Sequence, residues 1–105
     1  MPKRWLLFAA LVLPGTLSAQ GSAERGQELA ANLCAQCHDI SPACEFKTYP
    51  PSFASIAVFR DVEQIFSRIM FPQLHSAMPQ AGWFMPREDV EDLVAFIVSL
   101  EPTGD

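Results

Sequence analysis

An all-α domain is what this sequence predicts, on three observations. Val62, Ile65, Phe66 and Ile69, and again Val90, Leu93, Val94 and Ile97, fall on single helical faces. Helix-start chemistry stands in front of each candidate segment, at Ser22, at Asp61 with Gln64, and at Pro86. No stretch alternates apolar and polar residues in the manner of a half-buried strand.

The first nineteen residues are expected to be removed. Lys3 and Arg4 precede the apolar run Trp5–Leu13, Pro14 and Gly15 break it, and small residues follow to Ala19. This is the three-part layout of a secretory signal peptide, and the run is short of the roughly 20 apolar residues that span a bilayer. Cleavage after Ala19 is expected. It leaves Leu17 at the −3 position, whereas a cut after Ala23 would trim the first helix start; an uncleaved N-terminal anchor is the alternative. Residues 20–105 then form one domain of 86 residues, a size at which an apolar core alone is marginal. Small exported domains add a disulfide, metal or cofactor staple, and three cysteines exclude a dense disulfide framework. Losing Lys3 and Arg4 leaves five basic against twelve acidic residues, a net charge of −7. Such a domain does not neutralise phosphates, so nucleic acid is excluded as a partner, and basic protein surfaces attract it.

Ser22 is the N-cap expected for a first helix that carries Leu29 and Leu33 up to the cysteines. Gly26 lies inside it, at a cost of roughly 1 kcal/mol against Ala, and so requires a packing reason. A loop follows over 39–51, where Pro42, Pro50 and Pro51 oppose regular structure. A short helix is expected over 52–59. Asp61 and Gln64 then have capping-box spacing for a helix that Pro72 ends. The last helix opens at Pro86 with Glu88, Asp89, Glu91 and Asp92 near its positive end, and Pro102 and Gly104 stop it.

The chemistry is concentrated at Cys34-Ala35-Gln36-Cys37-His38. Two cysteines at i, i+3 project from one side and can each form a thioether with a haem vinyl group. The adjacent His38 is then held for the iron, and this spacing reads as covalent c-type haem attachment. A thioredoxin-like dithiol would need the pair at a helix start within a βαβ pattern. A zinc site would need about four ligands, and Cys44 with His75 gives thin support. Four side chains compete for the second axial position: Met78, His75, Met85 and Met70. Met85 abuts the last helix and suits a hydrophobic staple, and Met70 falls within the helix over 61–71.

Together these residues resemble the class I single-haem cytochrome c family over nearly all of 22–102. Gly26 stands eight residues before Cys34, as the family's first-helix glycine does, and Glu91–Ile97 is similar to its C-terminal helix with Leu93 and Phe96. The resemblance implies three to five helices around one covalent haem c, the first and last crossing where Phe96 meets Gly26. It implies that Pro51, in the run Pro51-Ser-Phe-Ala-Ser-Ile-Ala57, accepts a hydrogen bond from His38 through its carbonyl. It also implies that Met78, followed by Pro79, is the distal ligand, giving His38 and Met78 as the iron ligands. Function follows as an expectation: a periplasmic single-electron carrier, not a catalyst, docking transiently at the haem edge with protein donors and acceptors. Membrane anchoring through an uncleaved leader, bis-His ligation, and a haem-bearing subunit of a larger oxidoreductase are the competing outcomes.

Cys44 is expected to be an unpaired loop thiol. Phe53, Phe59, Phe66, Phe71, Trp83 and Phe84 are expected to fill the haem pocket and core, with Trp83 a candidate donor to a haem propionate.

Overall fold

Among the described residues the chain forms four α-helices and one 3-10 turn: α1 (Ala23–Leu33), α2 (Phe53–Phe59), α3 (Val62–Met70), the turn Ala81–Trp83, and α4 (Arg87–Ser99). The computed structural model describes residues 21–42, 49–73 and 77–102; the expected leader (1–19), Cys44 and His75 lie outside them. No strand occurs among the described residues. None of the described helices is long and apolar enough to cross a membrane.

The helix starts follow the local chemistry. Ser22 caps α1 by accepting from the Arg25 N–H. Ser52 caps α2 in the same way, accepting from Ser55. Asp61 and Gln64 close a reciprocal capping box on α3, each side chain accepting from the other's backbone N–H at 2.8 and 3.1 Å. Pro86 sits one position earlier than expected, at the N-cap of α4, and contributes its carbonyl to Val90 rather than a side chain. Met85 and Val90, the positions before the cap and four residues into the helix, are both buried, as a hydrophobic staple requires.

The apolar stripe of α4 is the spine of the core: Val90, Leu93, Val94, Phe96 and Ile97 are all buried. The α1–α4 crossing is the most extensive contact between elements. Gly26 lies at its centre, and a Cβ there would overlap the Asp92 carbonyl oxygen and sit 2.8 Å from Phe96 Cβ. The glycine therefore lets two backbones touch. Gly21 makes a second close approach, where a Cβ would come within 2.5 Å of the Asp92 nitrogen.

Asp92 binds the chain start to this crossing. Its carboxylate, on a residue only 9% exposed, accepts from the Ser22 N–H at 2.7 Å and faces Arg25 Nε at 3.3 Å. Arg25 also reaches Asp89 at 3.3 Å. Hydrogen bonds to a charged group contribute about 1.5–3 kcal/mol net, whereas an ion pair with a largely exposed arginine contributes about 0–1 kcal/mol. Asp92→Ala is accordingly expected to destabilise the domain by about 2 kcal/mol, and Asp92→Asn, which keeps an acceptor for Ser22, by under about 1 kcal/mol. Denaturant unfolding of both variants checks this; equal losses would place the stabilisation in the ion pair.

The aromatic residues depart from expectation. Phe53 is buried and Phe66 half-buried, with Arg87 stacked 5.1 Å over the Phe66 ring. By contrast Trp83, Phe71 and Phe59 are 84%, 70% and 64% exposed, Phe84 is 58% exposed yet borders the smaller cavity of the site, and Val62 is exposed at the start of its stripe. Phe59 and Phe71 occur where α2 and α3 end, past the turn that faces α4. Trp83 donates its indole N–H to the Gln80 side chain and borders neither cavity of the site, so the sequence expectation of a pocket role for it is corrected.

Candidate haem site

Helix α1 delivers the cysteines. Its last turn closes at Cys34, whose N–H donates to the Ala30 carbonyl, and the chain then winds through one further turn in which Cys37 and His38 both donate to the Cys34 carbonyl, at 3.1 and 2.9 Å. Cys34 is half-buried and Cys37 exposed, and the two are not joined to each other. Burial pushes the Cys34 thiol up from its ordinary value. A redox nucleophile requires the opposite shift and a helix start rather than a helix end. The helix-end position and the direction of the shift at Cys34 count against the dithiol reading. Among the described residues no three His, Cys, Asp or Glu side chains converge in a way that would hold a bare metal ion.

His38 is locked into one orientation. Its Nδ1–H donates to the Pro51 carbonyl at 2.7 Å. A carbonyl oxygen only accepts, so the proton belongs on Nδ1, and Nε2 keeps its lone pair. Phe53 stacks obliquely on the imidazole, with centroids 5.3 Å apart, and is itself backed by Phe96 of α4 at 6.2 Å. The Phe53 N–H also donates to the Asp39 carbonyl at 2.9 Å, tying the start of α2 to the residue after His38. The Pro51–Phe53 segment thus holds the ring from two sides.

Two adjoining cavities, of about 360 and 280 Å³, open beside this imidazole. Cys34, His38, Pro51, Met78 and Leu93 border both. Met85 borders only the smaller, and Met70 borders neither, lying against the turn at Gly82. Of the described distal candidates, Met78 alone borders both cavities together with His38. The lining fits a large flat apolar group bound at two thiols: Ile56, Ile65, Ile69 and Ile97 supply apolar wall, and an imidazole lone pair and a thioether, both of kinds that can ligate iron, stand beside it.

A family model for cytochrome c matches residues 23–101. The chain belongs to the cytochrome c family. No curated protein and no solved structure matches it. As a cytochrome c it carries one covalently attached haem c and performs haem-based electron transfer. The match spans all four helices and both cavities, so the helical architecture read from the sequence is that of a small cytochrome c.

Sequence reasoning missed four contributors to this cytochrome's site. Leu93 and Ile97 appear in the sequence as core residues of α4, yet both border the larger cavity. Arg60 and Arg68 border the same cavity, and the only signal for them was their rarity in an acidic chain.

Proposed function

We propose that this cytochrome is a single-electron carrier with Cys34 and Cys37 as thioether attachment points and His38 and Met78 as axial ligands. The observation that carries the reading is the 2.7 Å bond from His38 Nδ1 to Pro51, which commits one nitrogen and leaves Nε2 for iron beside the cavities that Met78 also borders. Such a bond fixes the ring and raises its basicity as a ligand. Bound haem supplies a reversible one-electron couple, and two permanent protein ligands leave little to rearrange when the electron moves. The chain's own residues hold the ring, exclude water with isoleucine and leucine, and keep the distal position filled. This makes the protein a carrier rather than a catalyst.

Residues 1–19 would direct export, and residues 20–105 would act in the periplasm. Partners would meet the edge beside the two thioethers. Leu33 and Phe84, 50% and 58% exposed, border the Cys37 cavity, and an apolar rim of this size suits the small transient contact of redox encounters.

One experiment tests the core of the proposal. The exported protein should gain the mass of one haem, lose the leader mass, and show in the oxidised state the near-infrared band of iron–thioether ligation. A covalent haem without that band would reassign the distal ligand. No haem adduct at all, in a host that attaches them, would defeat the reading.

A further inference from the structure

Among the described helices, α1, α2 and α3 open on side-chain caps, and the cap of α2 differs from the other two. Ser22 and Asp61, which cap α1 and α3, are exposed to water. Ser52, which caps α2, is 0% exposed, and Ser55 one turn on is 8% exposed. Serine hydroxyls mostly lie at the surface, because burial strips them of water and demands a protein partner for each. A cap requires one hydroxyl, and here two are buried.

Their bonds close on one another. Ser52 Oγ accepts from the Ser55 N–H at 3.2 Å and donates to Ser55 Oγ at 3.0 Å. Ser55 Oγ in turn donates to the Ser52 carbonyl at 2.9 Å. Ser52 is thereby held through both its side chain and its carbonyl. The residue before it is Pro51, whose carbonyl accepts from His38 Nδ1 at 2.7 Å. That carbonyl lies in the peptide plane shared by Pro51 and Ser52. The proline ring restricts the backbone on one side of the plane. The hydroxyl pair anchors the other side, where Ser52 has φ −66° and ψ 152°. Held at both ends, the plane keeps its carbonyl aimed at the imidazole.

We propose that Ser52 and Ser55 are positioning residues for His38: the hydroxyl pair aims the Pro51 carbonyl at Nδ1–H and so lowers the reduction potential of the iron that Nε2 ligates. The inference rests on the haem reading above. A firm Nδ1–H bond makes the imidazole a more basic ligand, and a more basic ligand favours ferric over ferrous iron. A carbonyl set loose gives a longer bond, a weaker donor and a higher potential.

The test uses the haem-loaded protein and the variants Ser52→Ala and Ser55→Ala, with Ser22→Ala as the control for a cap lost from another helix. Each α2 variant is expected to shift the one-electron equilibrium against a fixed mediator by roughly two- to fivefold toward the ferrous form. In proton NMR of the ferrous protein, the His38 Nδ1–H resonance should move upfield in both and stay in place in Ser22→Ala. A role confined to helix stability would lower Tm and leave potential and resonance unmoved. Should Ser52→Ala fail to take up haem, Ser55→Ala, which keeps the cap, decides alone. Variants that load haem and match the wild type in potential and Nδ1–H position overturn the proposal, as does an equal shift in Ser22→Ala. A wild-type His38 ring without the ring-current shift of a haem ligand instead defeats the reading beneath it, and the same spectra separate the two failures.

Discussion

Met78→Ala is expected to lower the midpoint potential by a substantial part of the roughly 0.8 V range that axial ligands command. It should also convert the iron to a high-spin or newly ligated form. A thioether is a soft, neutral ligand that stabilises ferrous over ferric iron, and its loss removes that preference. The expectation is specific to Met78: Met70 lies against Gly82 and borders neither cavity, and Met85 is buried in the core with only the smaller cavity beside it. Met78→His is the informative companion, since a second imidazole should restore a low-spin spectrum while leaving the potential low. Potentiometric titration followed in the visible and near-infrared reads both. If Met78→Ala leaves spectrum and potential intact, the ligand lies elsewhere.

Gly26→Ala should destabilise the domain although helix propensity argues the opposite. In an exposed helix interior, Ala improves on Gly by roughly 1 kcal/mol. Here the added methyl would overlap the Asp92 carbonyl oxygen and crowd Phe96 Cβ at 2.8 Å. One obstacle is backbone within α4, which cannot swing aside as the end of a long side chain can. Overpacking of this kind costs about 1–3 kcal/mol and occasionally more. We expect a net loss of about 2–3 kcal/mol and a fall in Tm of roughly 10–20 °C for a domain of this size. Gly26→Val should be worse. Thermal unfolding of the haem-loaded variants gives the sign directly, and a stabilised Gly26→Ala would mean that α1 and α4 do not touch there.

Gly26 shows why parts of this fold were legible in the sequence. A glycine in a helix interior carries a known cost, so its presence points to a close approach, and the approach is there. Asp61 and Gln64 were legible because a capping box is complete within four residues, and both of its bonds formed. The cysteine–histidine motif was legible because covalent attachment leaves no freedom in spacing. The tie from Ser22 to Asp92 was not, since seventy positions separate its ends and no local pattern records it. The aromatic residues misled because hydrophobicity is a one-way guide: a domain this small lacks polar area to cover itself, so large apolar side chains remain outside. Phe53 and Trp83 look alike in composition. Only their places relative to α4 separate a ring that orients His38 from one that faces water. The pairing of Arg60 and Arg68 at one cavity end depends on where α2 and α3 finish, which requires the assembled helices.

The docking of the earliest helix onto the latest sets an order of events in time. Synthesis must reach Ser99 before α1 has its seat, so the nascent polypeptide remains an open thread while most of it is being made. A chain cut short before α4 would leave the helix that leads into Cys34 without its most extensive contact, so loss of the last helix should disturb the first.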